Sequence, residues 1–151
     1  MKRVIKEQER IENQKIIILE ILSQDFVYNY FSLIQNLIIK KDKDAIKHFS
    51  LFISWMNEIL EKSILKEISI NEELNLVEKY LKFEELRFGT KYYFNFNKCI
   101  NSEKIRFSPF KLLYKTVMLL NQIRFNNDKK NVLEIEIQDS LGGKFIVKKF
   151  R

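Results

Sequence analysis

Residues 69–89 read SINEELNLVEKYLKFEELRFG, and the rest of the chain is placed by working outward from them. Ser69 and Glu72 have the spacing of a capping box. The hydroxyl accepts from the backbone N–H three residues on, and the carboxylate reaches back to the N–H of the cap. A helix over about 70–87 follows, with Leu74, Val77, Leu81 and Phe88 along one side. Gly89 ends it, because a left-handed C-terminal residue costs glycine little.

Upstream, residues 2–41 contain no Gly or Pro and predict one long helix. Leu19, Leu22, Phe26, Tyr30, Leu33 and Leu37 recur three and four residues apart and form one apolar seam. Ile18, Ile21, Ile34 and Ile38 form a second stripe beside it. Lys40-Lys41-Asp42-Lys43-Asp44 is a short polar break. A second helix over about 43–64 carries Ile46, Phe49, Phe52, Ile53, Met56, Ile59 and Leu60. Two amphipathic helices joined by a short loop make an antiparallel hairpin. One hairpin cannot cover two wide apolar faces. Two copies can, as a four-helix bundle, so a homodimer is expected; alternatively the later part of the same chain covers the hairpin.

Downstream the period changes from helical to alternating. Residues 91–97 (KYYFNFN) read as a strand. Ser108-Pro109 opens a helix over about 109–124, with Pro in its first turn. Residues 132–137 (VLEIEI) and 144–150 (KFIVKKF) are strands joined by a hairpin turn at Asp139-Ser140-Leu141-Gly142-Gly143. The expected fold is α+β: a long helical hairpin over 1–67, then a truncated α/β sandwich with about three strands over 68–151.

Composition excludes several classes of function. The single Cys99 forms no internal disulfide, and it lies far in sequence from the only His, His48, so no metal cluster is expected. There is no run of 18 apolar residues, hence no expected membrane span, and no signal peptide is read at the N-terminus. A cytoplasmic location follows as the expectation. The net charge of +7 is uneven: residues 1–86 carry 13 Lys and Arg against 15 Asp and Glu, residues 87–151 carry 14 against 5. The second half therefore favours an acidic partner, unless its lysines are simply solvated.

The segment from Ser69 to Gly89 resembles the linker between the two domains of LytS-type sensor histidine kinases, especially those common in Bacteroidetes. In that family a Ser/Thr-x-x-Glu-Glu-Leu cap leads into a helix ending Glu-x-x-Arg-Phe-Gly. Here these positions are Ser69, Glu72, Glu73 and Leu74, then Glu84, Arg87, Phe88 and Gly89. The order of elements over about residues 15–150 agrees as well. The resemblance implies a dimerisation and phosphoacceptor hairpin followed by an ATP-binding domain of the GHKL type.

The family's chemistry needs three things. Its acceptor motif, Asn-Pro-His-Phe-Leu-Phe-Asn, falls on Ser23-Gln24-Asp25-Phe26-Val27-Tyr28-Asn29, so Asp25 stands where the nucleophilic imidazole belongs. His48 lies in the second helix, away from that turn. The family's N box, Pro-Pro-x-Leu-Leu-Gln-Pro-x-Val-Glu-Asn, falls on the helix from Ser108. It puts Val117 on the Glu and Met118 on the Asn that ligates Mg²⁺, and neither offers the oxygen that a hard cation requires. The family's Gly-rich ATP loops come after the third strand, and the sequence reaches Arg151 before either. Asp139–Gly143 has the context of a turn between strands, not of a phosphate loop.

The expectation is a catalytically inactive, kinase-like interaction or adaptor module with no cofactor. It would pair with itself, and a kinase or a response regulator is the further partner expected. The expected interface is Leu19, Leu22, Phe26, Leu33, Leu37, Phe49, Phe52 and Met56. The alternative is nucleic-acid association through a basic patch of Lys104, Arg106, Lys111, Lys115, Arg124, Lys129, Lys130, Lys148 and Lys149, with Tyr92, Tyr93, Phe94 and Phe96 available for stacking.

Overall fold

The computed structural model describes residues 1–89, 106–125, 133–137 and 145–149. The chain divides into two compact units, Met1–Leu65 and Lys66–Arg151.

The first unit contains helices α1 (Lys2–Ile21), α2 (Gln24–Ile39) and α3 (Ala45–Ser63). The single helix expected over 2–41 is therefore broken. Leu22 leaves helical geometry after its N–H has closed the last turn of α1 on Ile18 O at 2.8 Å. Ser23 is extended and caps α2, its hydroxyl accepting from Phe26 N–H at 3.3 Å. Asp25 sits in the first turn of α2, where a carboxylate complements the partial positive charge of a helix N-terminus. Apolar periodicity runs unchanged through this junction, which is why periodicity alone does not reveal the break.

α2 ends in a Schellman motif. Asp42 N–H donates to Leu37 O and Lys41 N–H to Ile38 O, both at 2.9 Å, with Lys41 left-handed at φ 57°. The polar break is thus a built turn. It continues through Asp42 Oδ1, which accepts from Asp44 N–H at 2.8 Å.

α3 returns antiparallel along α2. Phe26 meets Trp55, while Tyr30, one turn later, donates to His48 O at 3.4 Å. Phe52 is the hub of an aromatic cluster. Its ring centroid lies 4.3 Å from Tyr30, 5.5 Å from Phe31, 5.9 Å from Phe26 and 6.1 Å from Trp55. Ile21, Ile34, Ala45 and Ile59 complete this core. α1 lies against α3. Arg10 ties the two ends together, donating to Gln14 Oε1 at 2.7 Å and to Leu65 O at 3.4 Å while paired with Glu7 at 2.8 Å.

The second unit contains β1 (Ile68–Ser69), α4 (Ile70–Phe88), β2 (Arg106–Phe107), α5 (Lys111–Phe125), β3 (Leu133–Ile137) and β4 (Phe145–Lys149). β1 and β2 pair antiparallel, Ile68 opposite Phe107 and Ser69 opposite Arg106. β3 and β4 pair antiparallel from Leu133 opposite Lys149 to Ile137 opposite Phe145, as expected for a hairpin. The strand expected over 91–97 and the turn at 139–143 lie outside the described residues. Among the described residues there are two two-stranded sheets, β1–β2 and β3–β4.

α4 packs on α5, and β4 lies beside α5. The core consists of Ile68, Ile70, Leu76, Val77, Tyr80, Leu81 and Phe83 on one side, with Phe110, Leu112, Leu113, Val117 and Leu120 on the other. Val77 and Leu81 are buried as expected. Leu74 is only partly covered, and Phe88 is 48 % exposed. The true inward stripe of α4 is centred on residues 73, 76, 77, 80, 83 and 84, so it includes two glutamates.

Candidate functional site

The linker motif is legible atom by atom. Ser69 N–H donates to Glu72 Oε2 at 2.8 Å, and Glu72 N–H donates to Ser69 Oγ at 3.3 Å. At the other end Gly89 is left-handed at φ 65°, its N–H donating to Glu85 O at 2.8 Å. Glu84 is fully buried and pairs with Arg87 one turn on. The Arg87 guanidinium lies 4.9 Å from the centre of the Phe88 ring, a cation–π distance. The Glu-x-x-Arg-Phe-Gly signature therefore holds one buried charge paired, one cation stacked and one helix closed.

Glu73 has a different role. It is fully buried, and its two oxygens accept from the backbone N–H groups of Phe110 and Leu113, each at 2.9 Å. Phe110 O accepts from Tyr114 N–H, so Phe110 is the N-cap of α5 and Leu113 its third residue. Those are the two positions that a capping box satisfies. In α5 both residues are apolar, and Glu73 of α4 performs the task for them. Pro109 precedes the cap instead of lying in the first turn, which corrects the expected start of this helix at 109. Phe110 is left-handed at φ 71°, unusual for a bulky residue and costing about 1–3 kcal/mol.

At the position of the family's acceptor, Asp25 is exposed on the first turn of α2. His48 is half-buried near the start of α3, with its backbone carbonyl engaged by Tyr30. Tyr30 is wholly buried, which pushes its hydroxyl above the ordinary phenol range and keeps it a donor. On α5, Val117 is buried and Met118 half-buried. Shifting the N-box register by one residue, so that Leu112-Leu113 fall on the family's Leu-Leu pair, puts Met118 and Leu119 at the Glu and Asn positions. These lack oxygen donors equally. Among the described residues no group of three or more His, Cys, Asp or Glu is placed to hold a metal, and no helix is long and apolar enough to cross a membrane.

The expected interface residues separate into two sets. Phe26 and Phe52 are buried inside the hairpin, at 5 % and 0 % exposure, so they are core residues and unavailable to a partner. Leu22, Leu33, Leu37 and Met56 are half-buried. Leu19 and Phe49 are exposed, at 70 % and 41 %. Phe49 belongs to a stripe that reaches solvent, with Ile46, Ile53 and Leu60 on α3 and Phe31 and Ile38 on α2. Sequence periodicity registers both stripes of α3 but does not say which faces α2. Trp55, absent from the expected seam, marks the inner one.

Of the expected basic patch, Arg106, Lys111 and Lys115 are exposed. Arg106 also donates to Glu67 O at 3.4 Å. Lys104, Lys129 and Lys130 lie outside the described residues. Arg124 lies on α5 and Lys148 and Lys149 on β4 by backbone position.

Residues 20–92 match the model of the histidine kinase family, a stretch just under half the chain. It runs from the end of α1 through α2, α3, β1 and α4. This part of the chain is histidine-kinase-like, which agrees with the resemblance carried by the linker and points to signalling. No curated protein and no solved structure matches the chain.

Proposed function

We propose that the chain is a non-catalytic, histidine-kinase-like interaction module of bacterial signalling, which pairs with a second copy through its hairpin and serves as an adaptor. The observation that carries this reading is the exposed stripe of the hairpin. The aromatic core between α2 and α3 is already filled, yet Phe31, Ile38, Ile46, Phe49, Ile53 and Leu60 remain 36–75 % exposed. Exposed apolar side chains recurring along two packed helices are what an interaction face presents, and a two-fold dimer would pair such a face with its own copy.

The chemistry supports the non-catalytic half of the reading. Asp25 replaces the imidazole that would attack the γ-phosphate. On α5 neither Val117 with Met118 nor Met118 with Leu119 offers a hard oxygen for Mg²⁺. The surviving parts are those that build and hold helices: the cap at Ser23, the capping box at Ser69, the Glu84–Arg87 pair and Gly89.

Incubation with γ-labelled ATP and Mg²⁺ tests the chemistry. The account expects no label on the chain, alone or mixed with a live kinase's receiver. Label that survives Asp25→Ala and is lost in His48→Ala would show an acceptor at His48 and overturn it.

A further inference from the structure

We infer that Glu73 is a latch that makes the first turns of α4 and α5 open and close together. α4 begins at the strand pair β1–β2, and α5 begins four residues after β2. One turn into α4, the Glu73 carboxylate takes over both halves of the missing capping box of α5. The α5 cap cannot manage alone. Phe110 and Leu113 carry no side-chain oxygen, and Phe110 is held left-handed without being glycine. The same first turn of α4 is itself fastened by Ser69 and Glu72. Adjacent glutamates thus divide the work, Glu72 closing its own helix and Glu73 closing the next. An ionised carboxylate only accepts, so it meets two N–H donors at once. A glutamine keeps one acceptor and turns its NH₂ group toward the second donor. Glu73 is a positioning residue on this account, and it carries a disturbance of the linker helix to a segment about forty positions later in the chain.

Residue-resolved hydrogen exchange on the full chain tests the coupling through a double-mutant cycle. Ser69→Ala removes the α4 cap and leaves the β1 backbone intact. With Glu73 present, it should lower protection of the Phe110 and Leu113 amides by roughly fivefold, the factor that a lost N-cap is worth. In a Glu73→Gln background the same Ser69→Ala change should alter Leu113 by less than about twofold. Equal effects in the two backgrounds would overturn the latch and assign the coupling to the β1–β2 pair. Should Glu73→Gln unfold, Ser69→Ala alone decides: a fall at Phe110 and Leu113 with the Arg106 and Phe107 amides unchanged supports the inference, while unchanged Phe110 and Leu113 protection, or a fall that includes Arg106 and Phe107, overturns it. A uniform fall across the second unit marks ordinary destabilisation and also overturns it.

Discussion

Among the described residues three hold left-handed backbone, Lys41, Gly89 and Phe110, and one of these is glycine. Gly89 is the expected case, and a Cβ there would meet nothing within 4 Å, so Gly89→Ala should cost only the conformational penalty, about 1–2 kcal/mol. Lys41 occupies the corresponding site at the end of α2. Lys41→Gly should therefore stabilise the chain by about 1 kcal/mol, measured by chemical denaturation. A loss of stability would mean that the Lys41 side chain contributes something its exposure does not suggest. Tyr30 allows a check of sign. Burial raises its folded-state ionisation above the ordinary value of 10.0, so its contribution is complete below that pH and is lost as pH climbs beyond it. The denaturation midpoint should fall above that point, and Tyr30→Phe should remove this part of the fall while costing under about 1.5 kcal/mol at neutral pH.

At the scale of elements, the capping box and the terminal glycine of α4 could be read from Ser69, Glu72 and Gly89, because those interactions are local and have fixed spacing. The break between α1 and α2 could not, since Ile18, Ile21, Phe26 and Tyr30 keep helical phase across it. In retrospect Ser23 followed by Asp25 is the signal: a cap and a first-turn acid. The role of Glu73 was hidden for a different reason. Its partners are backbone N–H groups brought near by tertiary packing, and a backbone donor has no sequence signature. The clue available was that Glu73 and Glu84 fall in phase with Ile70, Val77 and Tyr80, where a charge must be paired or hydrogen-bonded. In the hairpin, Phe52 touches four other rings. Phe52→Ala should cost about 3–5 kcal/mol, read from the urea midpoint. Phe49, on the outer stripe, should cost far less in folding when replaced by Ala.

For the molecule as a whole, α3 carries two apolar stripes of different exposure, and on the proposed reading the outer one is the pairing face. Ala45, Phe52, Trp55 and Ile59 face inward. Ile46, Phe49, Ile53 and Leu60 face out. The expected interface mixed the two, because helical periodicity gives the angle between stripes but not which one meets the partner helix. The match over residues 20–92 covers the hairpin and linker, and there the resemblance, the family comparison and the geometry agree. The match does not extend to the helix after Ser108-Pro109, so for the later residues an ATP-binding-domain ancestry remains what the sequence resemblance implies. Of the basic residues in 87–151, Arg106, Lys111 and Lys115 are described as exposed.

On the proposed reading, the outer face of the hairpin is a pairing surface. Sedimentation equilibrium of the full chain at micromolar concentration, run beside an Ile53→Glu variant, tests it most directly. The account predicts about twice the 18.3 kDa chain mass for the parent and the single-chain mass for the variant, with helical circular dichroism unchanged. A parent that sediments as a single chain, or a variant that stays paired, would contradict it.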